Sequence, residues 1–337
     1  MNQRMNRAPV RAWYPAGMTT LGIAPDQTQL LIDGHPTFLL GASYYGGLGA
    51  SAAFIAQDLD DLQSLGFNWL RVWATWGAFD HNVSAIGPDG AAREPYYTRL
   101  LALAEELDRR GMVLDVTLSR RNAIVGTGLM PDLSAHLAIA DGLTRALQPF
   151  RNIYFDLANE RNKPTPSHPF APIAELQQVA RLVKEHDPER LLTTSYAGDL
   201  PREEVEQHLQ VVGVDLLTPH RLRRVGAPAQ TAAQTRQYAT WMQELGRVVP
   251  VHYQEPLRRA GGRHYPRPEA GAFLEDLTGA VKGGAAGWCF HNGHDGAAPD
   301  GRPRRSFDLR EAEGRLFDQL DAEERVVVAQ ASAVVSG

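Results

Sequence analysis

Residues 37–74 read TFLLGASYYGGLGASAAFIAQDLDDLQSLGFNWLRVWA. Two short apolar runs, Thr37–Ser43 and Asn68–Ala74, flank a stretch with a different period. Between them Phe54, Ile55, Leu59 and Leu62 recur at helical spacing over Ala52–Leu65, and Gly66 follows as a helix stop. The flanking runs are apolar on consecutive positions, as strands covered on both faces are. The unit therefore predicts a strand, a helix and a second, parallel strand.

The rhythm continues down the chain. Further apolar runs lie at Val113–Leu118, Ile153–Ala158, Leu191–Tyr196, Val211–Leu217, Val249–Tyr253 and Ala285–Phe290. Helical patterns cover Tyr97–Arg110, Asp132–Leu147, Pro172–Glu185, Arg202–Leu209, Thr231–Leu245, Pro268–Val281 and Leu309–Leu320. Eight strands alternating with eight helices predict an α/β fold, a single-domain (β/α)8 TIM barrel. An open doubly wound sheet would carry a glycine-rich phosphate fingerprint after its first strand, and none is present. LLIDGHPT, residues 30–37, has an Asp-Gly turn and predicts a short N-terminal β-hairpin closing the barrel bottom. The expected organisation is an N-terminal extension over 1–28, the catalytic barrel over 29–325 and a C-terminal tail over 326–337 with no regular pattern.

Bulk properties narrow the function. The 337 residues suit one barrel with long loops, and 43% hydrophobic with 22% charged residues is a globular balance. A net charge of −5 argues against a nucleic-acid partner. Cys289 is the one cysteine, so neither an intrachain disulfide nor a cysteine zinc site is expected. No apolar run has signal-peptide or membrane-spanning length. The chain as written reads as cytoplasmic and not membrane-bound, with secretion left open for a chain supplied without its leader.

Barrel active sites form where the strands end at their C-terminal side. The strand ends deliver Tyr44 and Tyr45 (first), Arg71 and Trp73 to Trp76 (second), Ser119 to Arg121 (third) and Asn159-Glu160 (fourth). The later strands deliver His220-Arg221 (sixth), Tyr253 and Glu255 (seventh), then Trp288 with His291-Asn292 (eighth). Two glutamates thus face each other across an aromatic and polar mouth. Carboxyls about 5 Å apart let one attack an anomeric carbon while the other protonates the leaving oxygen. Glu160 is the expected acid/base and Glu255 the expected nucleophile of a retaining β-glycoside hydrolase. Arg71 would keep Glu255 ionised, Asn159 would bond a sugar hydroxyl, and Trp288 would stack under the sugar ring. His220, Tyr45, Trp76, Tyr253 and Asn292 complete the expected binding set. The partner is then an oligosaccharide, polysaccharide or glycoside, and no cofactor or metal is required. His291, His294 and Asp295 have a spacing that can ligate a metal, but in a glycine-rich loop they make a poor site.

On these motifs the sequence resembles clan A glycoside hydrolases, especially the cellulase-like family 5 group. The motifs are NWLRVWATW, YFDLANERN, TPHRLRR, VHYQEP and GWCF, and they span nearly the whole chain. The resemblance implies a TIM barrel with the Asn-Glu acid/base on strand four and the nucleophile on strand seven. Family members usually place a tyrosine two residues after the strand-six histidine, where this chain has Leu222. They often place a histidine after strand three, where it has Arg120 and Arg121. Both departures point away from a cellulase. A transglycosylase using the same residues, or a carbohydrate-binding pseudoenzyme, are the alternatives.

Arginines crowd the predicted mouth: Arg120, Arg121, Arg161, Arg221, Arg223, Arg224, Arg258, Arg259 and Arg263, then Arg302, Arg304 and Arg305. They fit two readings, an anionic glycan bound by guanidinium groups or local ion pairs in an arginine-biased chain.

Overall fold

A computed structural model describes residues 18–120, 130–163, 171–259, 267–294 and 302–337. Its first three strands, β1 (Leu21–Ile23), β2 (Leu30–Ile32) and β3 (His35–Thr37), form a small antiparallel sheet in that order. Asp33 and Gly34 turn between β2 and β3 with φ of 52° and 79°, the left-handed pair that a two-residue hairpin needs. The expected hairpin is therefore one half of a three-stranded cap.

The barrel strands follow. They are β4 (Leu39–Ser43), β5 (Trp69–Trp73), β8 (Val113–Thr117), β9 (Ile153–Asp156), β10 (Leu191–Thr193), β11 (Ser195–Tyr196), β12 (Thr218–Pro219), β13 (His252–Tyr253) and β14 (Gly287–Phe290). A small hairpin, β6 (Gly77–Ala78) with β7 (His81–Asn82), stands in the loop after β5. Seven strands pair in the order β10-β9-β8-β5-β4-β14-β13. Parallel pairing of β11 with β12 and a parallel bridge from Leu217 to Val251 close the ring. The fold is the expected (β/α)8 barrel.

Around it lie α1 (Ala52–Ser64), α2 (Tyr96–Arg109), α3 (Leu133–Leu147), α4 (Ile173–His186), α5 (Arg202–Glu206), α6 (Ala227–Glu244), α7 (Ala270–Gly283), α8 (Leu316–Gln319) and α9 (Ala322–Ser336). Local chemistry sets several starts. Ser51 caps α1 by accepting from the Phe54 N–H, and Asp132 caps α3 by accepting from Ala135. Asp321 and Glu324 form a reciprocal capping box at the start of α9.

Two expectations fail. Val211–Leu217 is not the sixth strand: α5 runs on as a π-helical turn, Gln207–Val212, ended by Gly213 at φ 81°, and the strand begins only at Thr218. A short apolar run fits a buried helical turn as well as a strand. Here Leu209 and Val212 face the core while Val211 is 37% exposed. The eighth outer helix is not Leu309–Leu320, which holds only the short α8. It is α9, whose Val327, Val328 and Ala331 are buried. The boundary expected between 325 and 326 falls inside this helix.

Strand alternation decides what enters the barrel. Leu39, Trp69, Val113, Tyr154, Leu216 and Cys289 meet in its lower interior, with Leu30 of the cap beneath them. Gly41 makes room for that packing, since a Cβ there would sit 2.0 Å from the Trp69 ring. Above this plug the inward residues turn polar.

Candidate active site

Arg71 is the centre of the polar layer. It follows Trp69 by two residues on β5 and so points inward with no exposed surface. Its guanidinium donates to Glu255 Oε1 at 2.7 Å, Asp156 Oδ2 at 2.7 Å, Asn159 Oδ1 at 2.9 Å and Thr117 Oγ1 at 2.9 Å. Asp115 lies 3.2 Å from its Nε. One cation cannot offset three carboxylates in a dry interior. Burial pushes the Asp115 carboxyl up to about 7 against the pull of Arg71.

Glu255 follows β13 and is 6% exposed. Oε1 also accepts the Tyr45 hydroxyl at 2.8 Å, and Oε2 accepts Arg223 Nη2 at 3.0 Å. Burial raises its pKa, but His220 and the guanidinium groups of Arg71 and Arg223 outweigh burial and hold the carboxyl well below its ordinary range. It is a carboxylate at neutral pH. Burial keeps Tyr45 a protonated donor.

Glu160 stands opposite, with its backbone at φ 46°. An L-residue enters that region at a cost of about 1–2 kcal/mol; the Ser195 hydroxyl, accepting from the Glu160 N–H at 3.0 Å, helps hold it there. Its Oε1 is 3.5 Å from His220 Nδ1 and its Oε2 is 3.2 Å from Lys163 Nζ. His220 Nδ1 is also 3.5 Å from Glu255 Oε2, so the ring bridges the two carboxyls. Burial and the Glu255 charge push the Glu160 pKa up; the His220 hydrogen bond and Lys163 pull harder, to about 2. Glu160, Glu255 and His220 each place one polar atom within 4.8 Å of the other two. Such a set has metal-ligand geometry, but Arg71 and Arg223 already bond both oxygens of Glu255, and two guanidinium groups oppose a cation there.

A cleft of about 550 Å³, counted out to its mouth, opens above these groups. Tyr45, Trp73, Trp76 and Phe307 form an aromatic wall, with Tyr45–Trp73 and Tyr45–Trp76 ring centroids both 5.3 Å apart. Asn159, Glu160, Lys163, Arg223, Glu255, Arg258, His291 and His294 supply the polar lining. Three buried polar atoms of lining residues have no hydrogen-bond partner among the described residues: Trp73 Nε1, Arg258 Nε and His291 Nε2. Burial holds His291 neutral, and its Nδ1 lies 3.2 Å from Arg223 Nη2. With Nδ1 accepting from Arg223, Nε2 carries the ring proton. All three unpaired atoms are then N–H donors, of a kind that buried sites rarely leave unmet.

Among solved structures, a family 5 mannosidase from Rhizomucor miehei is similar to this chain with a TM-score of 0.67 and 13% identity, over 94% of this chain and 97% of the other. An endo-1,4-beta-mannanase from the same organism is similar with a TM-score of 0.64 at 11% identity, over 94% and 100%. An exo-beta-1,4-mannosidase from Opitutaceae bacterium strain TAV5 is similar with a TM-score of 0.61 at 19% identity, over 94% and 62%. The fold is that of the family 5 glycoside hydrolases. No protein-family model matches the chain, and no curated protein does.

Of the residues expected at the site, Glu160, Glu255, Asn159, Arg71, His220, Tyr45 and Trp76 come together. Trp288, Tyr253 and Asn292 do not. In β14 the inward position is Cys289, so Trp288 points out to α7, where its indole donates to Asp276 at 2.7 Å. Tyr253 likewise points out, its hydroxyl 2.6 Å from that of Thr235 on α6. Asn292 is buried in a structural knot with Ser43 and Ser306. The residue that reaches the cleft from the eighth strand end is His291, in step with inward Cys289. Alternation was the signal that pointed to it. In the suggested metal group, His294 packs on Phe307 with centroids 5.3 Å apart, and Asp295 lies outside the described residues. Lys163 and Phe307 carried no local signal.

Proposed function

We propose that the protein is a retaining β-glycosidase, with Glu255 as nucleophile and Glu160 as general acid/base. The observation that carries this is the approach of the two carboxyls, one oxygen of each within 4.8 Å of the other. Double displacement needs a separation of about 5 Å, whereas inversion needs about 6.5–9.5 Å to admit a water. The electrostatics divide the roles. Glu255, gripped by two guanidinium groups and a phenol, is the ionised attacker. Glu160 in its protonated form brings the proton to the leaving oxygen, and His220 Nδ1, 3.5 Å from its Oε1, positions the carboxyl for the transfer. After the glycosyl ester forms, the Glu255 charge is gone and Glu160 accepts a proton from the attacking water.

Trp73 and Trp76 replace Trp288 as the aromatic surface offered to a pyranose ring. β-Mannosides are the first substrates to try, given the mannosidases and mannanase of similar fold. The test is a screen of aryl β-glycosides with wild type, Glu160→Ala and Glu255→Ala. Glu160→Ala should lose roughly 10²–10⁴-fold in kcat. Glu255→Ala should be inactive and be rescued by azide, giving the glycosyl azide of inverted configuration. Full activity in either variant overturns the assignment.

A further inference from the structure

The arginines around the mouth divide into two groups. Arg120 pairs with Glu175 at 2.6 Å, Arg161 with Glu204, Arg221 with Asp199, Arg259 with Asp321 at 2.8 Å and Arg305 with Glu324 at 2.7 Å. Arg302 and Arg304 share Glu313, and the exposed Arg224 donates to Gln230 Oε1 at 3.1 Å. These are local contacts and carry no ligand (Arg121 and Arg263 lie outside the described residues). Three cations remain on the cleft wall: Lys163, Arg223 and Arg258. Lys163 sits 3.2 Å from Glu160 and Arg223 sits 3.0 Å from Glu255, so each faces a carboxylate.

Arg258 faces none. Its guanidinium stands 5.6 Å from the centre of the Phe307 ring, and its buried Nε has no acceptor among the described residues. Burial and the neighbouring Arg223 lower its pKa to about 10 against the pull of Glu255, Tyr45 and Glu160, so it is a cation at neutral pH. The side chain is partly buried in the cleft wall, and a guanidinium with no paired carboxylate presents a planar fork suited to an oxyanion. Phe307 holds it beside the aromatic wall on which a sugar ring would lie.

We propose that the cleft takes a sugar bearing an anionic oxyacid group (carboxylate, sulfate or phosphate) and that Arg258 binds that group. The sugar rests on the glycosidase reading above; the anion rests on Arg258. This names a substrate class that the neutral mannosides do not cover.

The test compares matched 4-nitrophenyl β-glycosides: glucoside, galactoside and mannoside against the corresponding uronides, 6-sulfates and 6-phosphates. For at least one sugar, wild type should turn over an anionic form with a kcat/KM at least about tenfold above its neutral counterpart. Which oxyacid wins separates the three groups. Arg258→Gln should lower that anionic-to-neutral ratio roughly ten- to a hundredfold, and Arg258→Lys, which keeps the charge but loses the fork, by a smaller factor. If Arg258→Gln does not fold, the Lys variant carries the comparison. Preference for neutral sugars, or a ratio unmoved by either substitution, overturns the proposal and leaves the glycosidase reading standing. If wild type cleaves no glycoside of either kind, the glycosidase reading falls. Calorimetric titration with the free uronic acids, 6-sulfates and 6-phosphates then decides the anion site. Binding weakened in the Arg258 variants upholds it, and absent or unchanged binding overturns it.

Discussion

Lys163 and His220 pull Glu160 in the same direction, toward the ionised form, while burial and Glu255 push the other way. For a residue proposed as an acid this is a working tension, because the proton must be present when the leaving oxygen arrives. Lys163 is 45% exposed, so its contribution is screened and modest. The sign is nevertheless clear: an ammonium lowers a neighbouring carboxyl's pKa, and removing it raises that pKa. Lys163→Met should therefore move the alkaline limb of the kcat/KM profile upward by a fraction of a pH unit. The same profile in wild type is the reference, and a downward shift would count against Glu160 as the acid.

The strands carry a simple parity. In β5, Trp69, Arg71 and Trp73 point inward; in β14, Gly287 and Cys289 do, and His291 continues the series. An aromatic resemblance favoured Trp288, but a residue one step out of phase faces the helices whatever its chemistry. Trp288→Phe should lose the indole–Asp276 hydrogen bond and about 1–3 kcal/mol of stability, because a buried carboxyl is left short of a donor. Its KM should stay at the wild-type value, while Trp73→Ala raises KM. Urea unfolding together with steady-state kinetics on both variants checks the pair. A raised KM in Trp288→Phe would restore it to the site. The sixth strand shows the complementary error, since an apolar run without alternation holds no phase to read.

Across the whole molecule, α9 ties the chain's end to the cleft. Glu324 closes the capping box and accepts from the buried Arg305 Nε at 2.7 Å. Arg305 in turn donates to the Gly293 carbonyl at 3.1 Å, and Ser306 grips Asn292. Phe307 follows directly, accepting the Trp76 indole N–H on its carbonyl at 2.9 Å. Glu324→Ala removes a helix cap and leaves the buried Arg305 with Asp321, 3.6 Å away, as its remaining carboxylate, so a loss of about 1–3 kcal/mol is expected, seen as a lower urea midpoint. Glu324→Gln, which can still close the box, should lose less. Loosening the Phe307 segment should also raise KM, which links the far helix to substrate binding.

What could be read from residues alone was whatever local order encodes. Apolar runs and helical spacing gave the strand–helix alternation with the sixth strand and the eighth helix misplaced, the Asp-Gly turn gave the bottom hairpin, and the Asn-Glu and Gln-Glu-Pro strand ends gave the two carboxyls. Barrel closure then sets Arg71 against Glu255, because it lies two residues beyond an inward tryptophan on β5. Assignments that depend on partners far apart in the chain had no such signal. The arginines at the mouth look alike in sequence, and only the packed fold gives most of them a carboxylate while leaving Arg224, at the surface, and Arg258, in the cleft, without a paired one among the described residues. An ion pair is a fact of position across the chain, whereas a strand or a helix turn is a fact of neighbours along it.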